Sequence, residues 1–220
     1  MHKSKIQNRG ALWTTKIGIM GGSFDPIHVA HLVMADTVRE ALGLDLVLFL
    51  PAGSQPLKQG QPVTPAQERV EMIRRAIEGN PGFGLSRVDV DREGLSYTAD
   101  SLEELRLEWV GLGKVRMWFI IGSDSLLSFP RWHEPARILA QTRLAVVRRP
   151  AFAVDMAALE AQVPGIGEAI DWVDAPLLEI SATEIRRRVR EGRSIRYRVT
   201  EPVRDYIEEK GLYRDEGSPE

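Results

Sequence analysis

The chain has 220 residues, 43% hydrophobic and 27% charged, with a formal net charge of −2. This balance suits a soluble globular domain and gives no general reason to expect a nucleic-acid or membrane partner. Cysteine is absent, which excludes disulfides and thiolate–metal sites and fits a reducing cytoplasm.

Residues 1–14 are basic and polar. They have neither the continuous apolar segment nor the small-residue cleavage site of a signal peptide, so they read as a flexible tail. Residues 15–214 read as one domain and residues 215–220 as a second tail. No run approaches the roughly 18 apolar residues of a membrane span.

In chain order, residues 16–20 predict a first strand, followed by Gly21, Gly22, Ser23, Phe24, Asp25 and Pro26, and a helix over residues 26–42. Strands are predicted over residues 45–50, 83–90, 115–121, 143–148 and 169–173. Helices are predicted over 65–78, 99–109, 135–140, 155–162, 182–191 and 201–210. Thr64, Pro65 and Gln67 form the pattern of a capping box, as do Ser181 and Glu184, and Gly192 and Gly211 stand where helix C-caps belong. Strand–helix alternation implies right-handed crossovers, hence an α/β, doubly wound, mainly parallel sheet with helices on both faces. Ligands in such sheets bind beyond the carboxyl ends of the strands. That directs attention to the loops at residues 21–26, 51–63, 122–132 and 177–183.

The first loop carries chemistry. Gly21 and Gly22 permit positive φ and close approach of a ligand. Pro26 fits a first helical turn, whose N–H groups and partial positive charge favour phosphate. His28 and His31, three apart, share a helical face beside that anion site. Paired imidazoles also occur at zinc, but zinc wants three or four protein ligands. The remaining histidines are His2, in the tail, and His133, so no metal site is assigned. The G-x-G-x-x-G dinucleotide fingerprint is absent.

In "ISATEIRRRVREG" (residues 180–192), Ser181 caps a helix, Thr183 adds a hydroxyl and Arg186 adds a fork of donors. The set suits the β- and γ-phosphates of a triphosphate, and equally a plain capping box on a surface helix. Arginines recur at 186, 187, 188, 190, 193, 196 and 198. Helical geometry scatters them around the axis, so only Arg186 is assigned to phosphate. The others are read as surface, with Arg196 open.

The string "GGSFDPIHVAHL" resembles the G-G-[ST]-F-D-P-x-H-x-G-H pattern of the H-x-G-H nucleotidyltransferase superfamily, with Ala30 in place of glycine. "ISATEIR" resembles its I-S-S-T-x-I-R signature, with Ala182 in place of the second serine. Three further stretches, "SYTADSLEEL", "FIIGSDSLLSFPRWHEPARIL" and "SIRYRVTEPVRDYIEEKGLY", resemble elements of nicotinate-nucleotide adenylyltransferases. The matches run from Gly18 to Tyr213.

The resemblance implies a Rossmann-like nucleotidyltransferase fold. It implies transfer of AMP from ATP to nicotinate mononucleotide in NAD biosynthesis, giving nicotinate adenine dinucleotide and pyrophosphate in the cytoplasm. His28 and His31 would be catalytic. ATP would meet Gly21, Gly22, Ser23, Phe24, His28, His31, Ser181, Thr183 and Arg186. Nicotinate mononucleotide would meet Lys58, Thr98, Gly122, Asp124, Trp132 and Arg149. Mg²⁺ would be held mainly by the ATP phosphates.

Individual residues keep a second reading. Trp132 would stack on the nicotinate ring or simply pack; Thr98 would donate to the nicotinate group or cap a helix; Asp124 would accept from a ribose hydroxyl or cap. Lys58 closes "PAGSQPLK", which resembles a P-A-x-x-P-P-H-K loop with Leu57 in place of histidine. Two alternatives stay open: a superfamily enzyme with another acceptor, such as nicotinamide mononucleotide or phosphopantetheine, and a non-catalytic nucleotide-binding protein. Oligomeric state is not legible.

Overall fold

The computed structural model describes residues 14–53, 63–110, 113–149 and 153–214. Its strands are β1 (Thr14–Gly22), β2 (Leu46–Pro51), β3 (Phe83–Leu85), β4 (Lys114–Gly122), β5 (Arg143–Val147) and β6 (Ile170–Val173). They form one six-stranded sheet in the order β3-β2-β1-β4-β5-β6, with every pairing parallel. The chain order reverses between β1 and β4, so a crevice opens beyond their carboxyl ends.

Strand side chains alternate between faces, and each face has its own core. Ile17, Ile19, Leu48, Phe119, Ile121 and Leu144 point to one layer. There they meet α4 (Thr98–Glu108), α6 (Pro135–Gln141) and α7 (Met156–Gln162) through Leu102, Leu105, Ile138 and Leu159. Met20, Val47, Phe49, Ile120 and Val147 point to the other. They meet α1 (Val29–Leu42), α2 (Ala66–Ala76), α9 (Ala182–Arg190) and α10 (Glu201–Glu209) through Val38, Ile73, Ile185 and Val203. A sheet buried on both faces has near-continuous apolar strands, as in the fully buried LVLFLP of β2. Each such aliphatic or aromatic side chain contributes roughly 1.5–3 kcal/mol by burial.

The doubly wound reading holds, and several boundaries change. Thr14, read as tail, opens β1. The predicted strand at 83–90 stops at Leu85, and Val88–Asp91 forms the short helix α3. The V-D-V alternation imitates a strand, but Asp89 is a buried carboxylate that accepts from Ser101 Oγ. Its carbonyl accepts from Ser96 Oγ at 3.2 Å. Two short helices, α5 (Ser123–Leu126) and α8 (Ile166–Ala169), were not read. Helix α2 begins after Pro65 with no side-chain cap. Thr64 uses its backbone N–H to donate to Asp25 Oδ2 at 3.3 Å instead. The caps read at Gly192 and Gly211 are found, at φ 64° and 59°, the left-handed region where glycine carries no Cβ penalty.

Candidate active site

The carboxyl ends of β1, β4 and β5, with the loops before α4 and α9, enclose a cleft of about 1580 Å³. Gly21 and Gly22 are the extended last residues of β1, and the positive φ expected of them falls on Phe24, at 50°. Phe24 is buried, and a Cβ on Gly22 would meet its ring at 3.1 Å. The second glycine therefore makes room for the ring. The Phe24 ring stands edge-on to His31, centroids 5.0 Å apart, and so supports the imidazole from behind.

Pro26 lies in a turn rather than in the helix, and α1 begins at Val29 with His28 as its N-cap in extended backbone (φ −145°). The two histidines still come together, by stacking: their centroids lie 3.7 Å apart with the planes 19° from parallel. His31 Nδ1 accepts the His28 backbone N–H at 3.3 Å. That contact fixes a neutral His31 with its proton on Nε2. Burial, helped by the charge of Arg149, lowers His28 to about 4. Burial, then His28, then Arg149 hold His31 well below the usual histidine range. His28 Nδ1 is buried and has no hydrogen-bond partner among the described residues.

Across the cleft, Ser181 caps α9 as read, its Oγ accepting the Glu184 N–H at 3.2 Å. Thr183 and Arg186 line the cleft with it. Arg186 Nη1 donates to the Asp25 carbonyl at 2.7 Å, and Nη2 reaches Thr183 Oγ1 at 3.5 Å. Of the other arginines, Arg187 and Arg193 pair with Glu191 on the surface. Arg188, read as surface, is covered: its side chain is 14% exposed and its Nε donates to Ser194 O at 2.8 Å.

At the far end, Trp132 is half-buried. It packs edge-on against Phe119 at 5.9 Å, and its Nε1 donates to Ser128 Oγ at 3.2 Å. It both packs and lines the cleft. Thr98 is the first residue of α4, which has no side-chain cap, and it faces the cleft. Asp124 does not cap either. Its carboxylate lies 3.4 Å from Arg149 Nε, and a Cβ at Gly122 would fall 2.3 Å from Asp124 Oδ1. Only glycine allows that approach. Lys58 and Leu57 lie outside the described residues.

Two groups were missed. Tyr97 and His133, rings 4.2 Å apart, wall the Trp132 end of the cleft; their adjacency to Thr98 and Trp132 in sequence was the available signal. Behind the first loop, Asp25 is 5% exposed and accepts the Tyr213 hydroxyl at 2.7 Å. Arg69 there donates to Ser23 O at 2.7 Å and Thr64 O at 2.9 Å.

The cytidylyltransferase-like family model matches residues 19–188. A probable nicotinate-nucleotide adenylyltransferase of Thermomicrobium roseum is 47% identical over 91% of this chain and 92% of its own length. One from a Roseiflexus species is 46% identical over 90% and 98%. Among solved structures, Plasmodium falciparum nicotinic acid mononucleotide adenylyltransferase complexed with NaAD superposes with a TM-score of 0.73 at 20% identity, over 90% of this chain and 97% of that one. That last likeness concerns the fold alone. With nearly the whole chain aligned at such identity, this protein belongs to the nicotinate-nucleotide adenylyltransferase family, within the cytidylyltransferase-like group.

Proposed function

We propose that the chain transfers AMP from ATP to nicotinate mononucleotide, yielding nicotinate adenine dinucleotide and pyrophosphate. The observation that carries the reading is a single continuous cleft. It holds neutral imidazoles and a helix-borne hydroxyl–guanidinium set at one end and an indole with a hydroxyl at the other. An oxygen of the acceptor phosphate attacks the α-phosphorus in line. The bond from that phosphorus to the oxygen bridging the β-phosphate breaks, and pyrophosphate leaves with the electron pair. Little covalent work falls to the protein, so rate comes from positioning and charge stabilisation.

His31 donates from Nε2 to the α-phosphate oxygens, and His28 joins it there. Both rings are neutral before substrate enters; arriving phosphate charge favours protonation of His28, while His31, whose Nδ1 accepts the His28 N–H, donates from Nε2 as a neutral ring. Ser181, Thr183 and Arg186 hold the β- and γ-phosphates. Trp132 stacks on the pyridine ring, Thr98 meets its substituent, and Gly122, Asp124 and Arg149 take the ribose and phosphate of the acceptor. Lys58 is assigned with them to nicotinate mononucleotide. Among the described residues no three His, Asp or Glu side chains converge as metal ligands. The donors at the phosphate end are imidazoles, hydroxyls and a guanidinium, which suit phosphate oxygens rather than Mg²⁺. Mg²⁺ would therefore arrive on the triphosphate and shield its charge there.

ATP and nicotinate mononucleotide are the proposed partners, with neither nucleic acid nor membrane, in the cytoplasm where ATP is supplied. No helix among the described residues is long and apolar enough to cross a membrane. Residues 15–214 act as one domain in this reading. The test is pyrophosphate release from ATP against a panel of acceptor phosphates. Turnover with nicotinate mononucleotide is expected; turnover only with another acceptor, or none, overturns the proposal.

A further inference from the structure

A buried carboxylate must be met by donors, and each missing donor is costly. Asp25 Oδ2 accepts the Thr64 N–H at 3.3 Å and Oδ1 accepts the Tyr213 hydroxyl at 2.7 Å. Arg69, the other cation nearby, is occupied by the carbonyls of Ser23 and Thr64. Arg186 Nη1 lies 4.0 Å from Oδ2, in loose contact with the carboxylate, while it donates to the Asp25 carbonyl at 2.7 Å. Asp25 and Arg186 line the cleft, and Tyr213 is not among the lining residues.

We infer that Tyr213 is a positioning residue for the triphosphate: by donating to Asp25 Oδ1, its hydroxyl lowers the buried carboxylate's demand for a donor, so that Arg186, 4.0 Å from Oδ2, is not drawn onto it and stays available to the β- and γ-phosphates. A carbonyl is a weak competitor for a guanidinium; a buried carboxylate short of a donor is a strong one. Tyr213 is held for this task in left-handed backbone at φ 66°, a conformation that a non-glycine residue keeps only when its surroundings over-determine it. The surroundings are visible: Gly211 at φ 59° turns the chain after α10, and the Leu212 N–H donates to Ile207 O at 3.0 Å. Burial and the Asp25 charge push the phenol far above its ordinary range, so it remains a donor. Of the two described arginines near Asp25, Arg186 lines the cleft and Arg69 does not.

The inference rests on the adenylyl-transfer reading, and Tyr213→Phe tests it by removing only the hydroxyl. The variant is expected to melt cooperatively. Its KM for ATP should rise about 5- to 10-fold, the loss of one hydrogen bond's worth of positioning, while KM for the acceptor stays within about 2-fold. In an Arg186→Ala background the same change should add less than about 2-fold, because two residues acting through one contact are not additive. An unchanged KM for ATP, an equal rise for both substrates, additive effects, or a variant that does not fold would each overturn it. If the wild-type protein releases no pyrophosphate, the reaction reading fails separately. Calorimetric ATP binding then decides: weaker binding by Tyr213→Phe upholds the inference and equal binding overturns it.

Discussion

The imidazoles of His28 and His31 lie face to face, centroids 3.7 Å apart, and a charge on one ring disfavours a charge on the other. Such a pair is poised to gain stabilisation only as phosphate charge develops against it. His31→Ala should therefore lower kcat by on the order of 10²-fold with ATP affinity largely kept. Steady-state kinetics beside an ATP titration checks this, and near-normal turnover in a folded variant removes His31 from the chemistry.

The same burial makes stability depend on pH. His28 takes its proton near 4 in the folded chain but near 6.5 when unfolded. The unfolded state binds more protons between those values, so stability falls as pH drops from 6.5 towards 4. Asp89 runs the other way. Burial raises it from 3.8 to about 6, so its contribution is lost as pH rises through that window. Comparing wild type with His28→Asn isolates the histidine. Between pH 7 and 5 the wild type should lose roughly 2 kcal/mol more than the variant, measured by urea unfolding. Parallel curves would show that His28 is not depressed.

Arg186→Ala should weaken ATP binding by roughly 1.5–3 kcal/mol, the range for a charge-assisted contact. Arg188 is turned away to the Ser194 carbonyl, so Arg188→Ala should lower the Tm and leave ATP affinity alone. Calorimetry with thermal melts separates the two. Equal losses of affinity would mean that the arginines act as a diffuse field.

Nicotinate and nicotinamide mononucleotides present the same flat face to Trp132 and differ only at the substituent. Trp132→Ala should therefore weaken both acceptors together, by roughly 1–3 kcal/mol if the contact resembles base stacking. A site that offers donors to the substituent meets the amide NH₂ with donor against donor, so the acid should be preferred by roughly 10²-fold in kcat/KM. Kinetics with both acceptors decides: equal efficiency rejects the preference, and an unchanged acceptor KM leaves Trp132 as packing.

The sheet was legible because its strands are short β-branched and aliphatic runs between glycine and proline punctuation, as at residues 16–22 and 115–122. Boundaries failed where a polar side chain had a tertiary partner. Asp89 ends a strand-like pattern by burying its carboxylate, and Thr64 gives its N–H to Asp25 rather than capping α2. The short helices at Ser123–Leu126 and Ile166–Ala169 have no full period to show. His28, Arg186 and Trp132, which line the cleft, could be singled out as candidates because they stand in dense local strings. The Asp25–Tyr213 contact spans 188 residues, and no local pattern reports such a pairing.

The contact of Arg186 with Asp25 spans 161 residues, and it bears on when the site comes into being during synthesis. A ribosome that has produced the chain through β6 has delivered every described strand of the sheet and the stacked histidine pair, but not the Ser181, Thr183 and Arg186 set proposed to hold the β- and γ-phosphates. Only when α9 emerges does the first loop meet its counterpart, and only with α10 and Tyr213 is the carboxylate behind it satisfied. A chain cut short before α9 would lack Ile185, Val203, Tyr206 and Ile207 from one face of its core as well as the proposed grip on the β- and γ-phosphates.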